Sequence, residues 1–207
     1  MTTPPPRIFI ITARDADAAI VIRRGPSDWF HLLKWDASND TFQSGAWFKG
    51  SMYPEKCDLS PDRNLFLCFV LQGSKLDTSY THAWTAVSRA PWMDALGLWP
   101  QGTTYGGGGR FVSNRHLVIR HDKAFAHQDH PGKGLSVGVG EPELHSSSHE
   151  VDGATWAGRD RAGHLIYAKE GKIFRRSPLG GDVELVDLCG MTPDPKPAPE
   201  WAVRDLE

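Results

Sequence analysis

Cysteine is scarce in this chain of 207 residues: there are three, Cys57, Cys68 and Cys189. An odd number with no Cys-x-x-Cys spacing excludes a complete disulfide framework and the common zinc ribbons, so reduced thiols are expected. Cys68 falls inside an apolar run and is expected in the core. Long hydrophobic runs are also missing. No segment approaches the about 18 apolar residues of a membrane-crossing helix. The opening MTTPPPR has neither the apolar stretch nor the small-residue cleavage pattern of a secretion signal. A cytoplasmic protein without a membrane partner is the expectation. Charge of one sign is lacking too: Lys plus Arg number 23 against 25 for Asp plus Glu, a formal net charge of -2. With no basic block there is no electrostatic ground for nucleic-acid binding. No motif calls for a cofactor.

Helical periodicity is nearly absent as well. One short helix is expected over 91–98 (PWMDALGL), where Pro91 suits a first helical position and Trp92, Met93, Ala95, Leu96 and Trp99 fall on one stripe. Short extended segments fill the rest. Residues 154–188 give one complete antiparallel unit of four strands: 154–158, then HLIYAK, KIFR and VELVDL. Glu170-Gly171 forms a tight connection, and Pro178, Gly180 and Gly181 break the chain before the last strand. Strands this short cannot bury a face alone and must pair and stack.

Weaker copies of the unit precede it. Arg159-Asp160 followed by Leu165 and Ile166 has a counterpart in Arg14-Asp15 followed by Ile20 and Val21, and that copy continues into FHLLKW and TFQSGAWF. A second copy runs from Cys57-Asp58 through LFLCFVL to AWTAVS. A third runs through 110–112, HLVIR and 135–139. Leu65, Leu117 and Leu165 recur about 45 to 52 residues apart, a propeller-blade spacing. Trp201 to Asp205 echoes Trp156 to Asp160, as if a last strand returned to complete the sheet begun at 7–12. Residues 1–6 are expected to form a disordered proline-rich lead and 7–207 a single domain.

Several motifs bear on chemistry. Gly134-Leu135-Ser136-Val137-Gly138 matches the Gly-x-Ser-x-Gly of hydrolases, but Val139-Gly140-Glu141-Pro142 directly after it cannot start the helix that such an elbow needs. A glycine-rich strand is expected instead. His127-Gln128-Asp129-His130 resembles half of the zinc motif of metallo-β-lactamase-like hydrolases, with Phe125 where the leading histidine should stand. His121, His127, Asp129, His130, His145 and His149 are crowded into this region and are the candidate metal ligands of a metal-dependent hydrolase, the alternative function. Glycines 106–109 lack the Lys-Ser/Thr of a phosphate loop and suggest a close backbone approach.

Eight tryptophans are many for this length. Trp35, Trp47, Trp156 and Trp201 sit at comparable strand ends, where packing between sheets explains them. Trp84, Trp92 and Trp99 lie near Tyr105 and Arg110 in sequence, and aromatics with arginine are the usual anchors of a binding surface. These five are the candidate binding residues.

At Cys57-Asp58-Leu59-Ser60-Pro61-Asp62 with Leu65-Phe66-Leu67, and at His164-Leu165-Ile166-Tyr167 with Gly171-Lys172-Ile173-Phe174, the chain resembles β-propeller repeats of the broad WD40-like kind. It lacks their Gly-His and Trp-Asp signatures. It is also similar to a group of uncharacterised bacterial tryptophan-rich proteins of about this length. The resemblance implies an all-β fold, a small propeller of four blades closed by pairing of the N- and C-terminal strands. A five-bladed ring or a two-sheet sandwich are the alternatives. A non-catalytic module that presents a face to a protein partner or small ligand is the expected function, with a structural subunit of a larger assembly as a further alternative.

Overall fold

The computed structural model describes residues 4–148, 150–177 and 180–206. The first sheet grows from four segments rich in β-branched and aromatic residues, the side chains that best fill a pleated, half-buried surface. They are β1 (Arg7–Thr12), β2 (Ala18–Arg24), β3 (Trp29–Asp36) and β4 (Thr41–Lys49). The strands pair antiparallel in chain order. β2 and β3 lie in the middle and are buried along nearly their whole length. The β3–β4 turn is fixed by its own side chains: Asp36 accepts from the Ser38 amide at 3.1 Å and Asn39 from the Thr41 amide at 3.1 Å.

The second sheet has β5 (Ser51–Met52) and β6 (Asp58–Leu59) one after the other along one edge of β7 (Leu65–Leu71), with β8 (Ala83–Arg89) and β9 (Ala95–Pro100) beyond its other edge. The helix expected over 91–98 is not formed. The Trp92 amide closes a turn on the Arg89 carbonyl at 2.7 Å, and residues 95–100 pair with β8. Their apolar side chains serve two cores rather than one helical stripe, Leu98 in one and Trp99 in the other. Ladder pairing with a preformed neighbour overrides a pattern that read as amphipathic.

The third sheet contains β10 (Gly109–Phe111), β11 (His116–Ile119) and β12 (Ser136–Val139). β10 and β11 are antiparallel, but β11 and β12 are parallel, so the chain must travel between them. It uses that excursion to cover the free edge of β9: the Leu98 amide donates to the His130 carbonyl at 3.1 Å and the His127 amide to the Leu98 carbonyl at 2.7 Å. Ser136 therefore begins a strand, as the glycine-rich reading expected. Glycines 107–109 are close backbone approaches. A Cβ added at Gly107 would lie 2.1 Å from the Phe69 ring, and one at Gly108 would lie 2.2 Å from the Lys56 carbonyl.

The fourth sheet is the four-strand unit expected in 154–188: β13 (Trp156–Arg159), β14 (Leu165–Lys169), β15 (Lys172–Arg176) and β16 (Asp182–Asp187), antiparallel in chain order. Glu170 and Gly171 both take positive φ, 52° and 77°, as a two-residue hairpin turn of the primed kind requires.

The tail differs from expectation. Glu200–Val203 is one turn of helix, α1, and β1 pairs with β2 alone among the described strands, so the N- and C-terminal strands do not pair. Arg89 donates to the carbonyls of Arg204 at 3.2 Å and Asp205 at 3.1 Å, which a ladder would have needed. Leu206 is buried with Leu65, Phe111 and Leu117. The tail is thus held by the second and third sheets. Trp201 stays 47% exposed, so the packing role holds for buried Trp35 and Trp156 but not for it.

Each sheet shares a core with a neighbour. Ile22 and Leu32 of the first meet Phe66 and Cys68 of the second; Ile10 and Trp35 of the first meet Ile166 and Ile173 of the fourth; Leu67 and Trp99 of the second meet Phe111 and Leu117 of the third. Pro6 is buried, and residues 1–3 of the expected lead lie outside the described residues.

Candidate functional site

The five aromatic and arginine residues suggested by the sequence do not form one surface. β8 pairs with β9 so that Trp84 faces Pro100 and Thr85 faces Trp99. Trp84 packs against the core between the first two sheets, and Trp99 lies in the core shared with the third. Trp99 is 1% exposed and donates its indole N–H to the Ala124 carbonyl at 3.1 Å. Trp92 is half-buried. Tyr105 is 89% exposed. Arg110 turns inward to Asp58 at 3.3 Å.

The histidines divide as well. His121 is spent on backbone, Nε2 on the Pro100 carbonyl at 2.9 Å and Nδ1 on the Lys123 amide at 2.9 Å. His145 sits on Asp58 at 2.9 Å and contacts Arg110. His149 lies outside the described residues. Among the described residues no three His, Cys, Asp or Glu side chains gather as a metal site would require. His127, Asp129 and His130 stay together, and they meet one residue that no motif flagged, Tyr80. Its ring stacks on His127 at 4.3 Å and 19°, and its hydroxyl lies 3.3 Å from Asp129 and 3.5 Å from His130 Nε2.

Tyr80 and His130 form one wall of a pocket of about 280 Å³, completed by Trp84, Phe48 of the first sheet and Met93. Its floor is Cys68 and Leu98, and Lys75 stands nearby with Nζ 5.6 Å from the Tyr80 ring centre. Strand alternation aims Cys68, Val70, Trp84 and Ala86 into the same space from paired strands. Tyr80 arrives from the loop between β7 and β8, and His130 from the excursion that covers β9. A largely apolar cavity with a few convergent polar groups is the usual form of a small-molecule site.

The electrostatics of this pocket hold protons on. Burial pushes the Cys68 thiol up to about 12. Desolvation first, then the Asp129 carboxylate, raises the Tyr80 phenol above its ordinary value. Beside the pocket, Ser79, His127 and Asp129 have the composition of a catalytic triad, with Ser79 Oγ 2.8 Å from His127 Nε2. The ring is turned the wrong way for that chemistry. Its Nδ1 accepts the Asp129 amide at 3.2 Å, while the Asp129 carboxylate stands off at 3.7 Å. A neutral imidazole that accepts at Nδ1 carries its proton on Nε2. His127 therefore donates to Ser79 instead of drawing its proton away.

Two other clefts are less suited to a ligand. One, about 620 Å³, lies between Pro4–Pro6 and Cys189–Thr192. Its buried cation, Arg23, is spent on the carbonyls of Leu188 at 2.8 Å, Met191 at 3.0 Å and Gly25. The other, about 230 Å³ beside Trp35, ends on Arg175, which is clamped by Asp40.

Sequence reasoning found Trp84 and His130 but missed Phe48, Lys75, Tyr80 and Met93. One signal was there to be read: Tyr80 is the only aromatic residue in the polar loop 73–81. Loops held on a rigid scaffold are frequent carriers of binding residues. No protein-family model matches the chain, and no curated protein or solved structure is significantly similar to it.

Proposed function

We propose that this chain is a non-catalytic binding module, its four sheets standing as the blades of a small propeller, with a small apolar ligand taken into the Tyr80–Trp84–His130 pocket. Support for the architecture is that each sheet is built from consecutive strands and that sheets share cores in pairs. The Asp58 joint adds to it, since β6, β10 and the His145 loop meet there and Arg14 reaches the Phe111 carbonyl from the first sheet.

The observation that carries the binding reading is the convergence of Phe48, Tyr80 and Trp84 on one cavity that also takes in Lys75 and His130. The non-catalytic part is supported by His127, which presents the wrong tautomer to Ser79, and by the burial that raises the Cys68 thiol. A cavity of about 150 Å³ lined by apolar side chains accepts benzene, so 280 Å³ suits one or two fused rings.

Calorimetric titration of the full chain with toluene, phenol and indole tests this. Binding of at least one, weakened about tenfold or more in a folded Trp84→Ala variant, is expected, because a stacked aromatic wall contributes about 1 kcal/mol beyond its area. No binding by any of the three overturns the pocket. Hydrolysis of a p-nitrophenyl ester that disappears in Ser79→Ala overturns the non-catalytic part.

A further inference from the structure

His130 is held in one tautomer by a backbone carbonyl. Its Nδ1 lies 2.8 Å from the carbonyl oxygen of Ala95. A carbonyl only accepts, so in the neutral ring the proton sits on Nδ1 and Nε2 is left as a bare lone pair. His130 is among the residues that line the pocket. The hydrogen-bond partner of Nε2 among the described residues is the Tyr80 hydroxyl at 3.5 Å, and the same hydroxyl lies closer to Asp129, at 3.3 Å. A phenol has one proton to give, so Tyr80 cannot serve both acceptors. His127 next door makes the contrast: both of its nitrogens are matched, one to Ser79 and one to the Asp129 amide. The half-buried His130 thus shares the pocket with the rings of Phe48, Tyr80 and Trp84, with aliphatic side chains and with Lys75.

From this we infer that the pocket selects planar aromatic molecules carrying one N–H or O–H donor, of the indole or phenol class, with the donor directed at His130 Nε2. The inference rests on the pocket reading above and adds the chemistry of the occupant. Phe48, Tyr80 and Trp84 supply ring faces and edges for the planar body. Nε2 supplies the single directed contact, and a ligand without a donor would bury that acceptor unsatisfied.

The experiment compares indole with benzofuran by calorimetry on the full chain at neutral pH. The two have the same fused rings, but an ether oxygen replaces the N–H. Indole is expected to bind about tenfold or more tighter, the cost of leaving one buried acceptor unpaired. A folded His130→Phe variant is expected to bring the two affinities together while retaining binding. If that variant does not fold, the wild-type ratio decides alone. Equal affinity of indole and benzofuran for the wild type overturns donor selection and leaves the pocket standing. Failure of both to bind removes the pocket and this inference with it.

Discussion

Arg175 holds Asp40 across 135 positions of sequence with two parallel bonds, Nη1 to Oδ2 at 2.7 Å and Nη2 to Oδ1 at 2.8 Å. This fork joins β15 of the fourth sheet to the β3–β4 turn of the first. The bonds to Asp40, above all, raise the guanidinium above its ordinary value. Its carbon also lies 5.8 Å from the Trp35 ring centre, and Trp35 donates to the same carboxylate at 3.3 Å. Both partners are partly exposed, at 22% and 33% of their side chains, so water discounts the pair. A double-mutant cycle of Arg175→Ala and Asp40→Ala is expected to show about 1 kcal/mol of coupling. Arg175→Lys should lose most of it, because an ammonium cannot make the two parallel bonds. Coupling indistinguishable from zero in urea unfolding would mean that the packed core alone joins these sheets.

Asp58 is the opposite case, a carboxylate only 5% exposed. Its Oδ2 accepts the Phe111 amide at 2.7 Å, and its Oδ1 faces His145 at 2.9 Å and Arg110 at 3.3 Å. Removing it leaves a buried amide and an inward-turned cation without their acceptor. Asp58→Ala is expected to cost about 3 kcal/mol of unfolding free energy, the scale of a broken buried pair. Asp58→Asn keeps an acceptor oxygen for Phe111 and should cost less. An alanine variant as stable as wild type would show that this joint does not hold β6 against β10.

Gly107 and Gly163 separate backbone conformation from space. Both have φ in the left-handed region, +73° and +86°. A Cβ at Gly163 would meet nothing within 4 Å, whereas one at Gly107 would lie 2.1 Å from the Phe69 ring. Gly163→Ala should therefore cost only the conformational term, about 1 kcal/mol. Gly107→Ala adds overpacking against a fully buried aromatic and should cost about 3 kcal/mol or more. Equal shifts in melting temperature would contradict the close approach.

Strands were legible wherever apolar and β-branched residues ran together between turn residues, as in LFLCFVL and HLIYAK, because such segments have few other ways to bury themselves. Residues 91–98 misled because Trp92, Met93, Ala95, Leu96 and Trp99 fit a helical stripe, and only the edge offered by β8 decides against it. The tail misled in the same way: Trp201 to Asp205 copies a strand, but Leu206 beyond it is what the core takes in. For the site, sequence proximity grouped Trp84 with Trp99, and ladder register then put them in different cores. Tyr80 and His130 are 50 positions apart, and no local pattern announces a contact made by two loops crossing the edge of one sheet.

His31 gives a pH dependence with a definite sign. It is 1% exposed, stacked on Trp47 at 4.2 Å and 3°, with Nε2 2.8 Å from Ser44 Oγ. Burial, then the nearby Arg23 guanidinium, lowers it to about 4. In the unfolded chain an imidazole titrates near about 6.5. Between those values the unfolded state binds the extra proton, so stability is full above about 6.5 and falls as the pH drops toward about 4. The loss across that window is about 3 kcal/mol. Asp36, Asp182 and Asp187 are held below their ordinary values by hydrogen bonds, so their own losses set in from about pH 5 and fall mostly below about 4, overlapping only the acid end of this window. Urea midpoints measured from pH 7.5 to 4 should decline for the wild type. His31→Phe, which keeps a ring against Trp47, should flatten the decline. Parallel declines in the two proteins would assign the acid sensitivity to other groups.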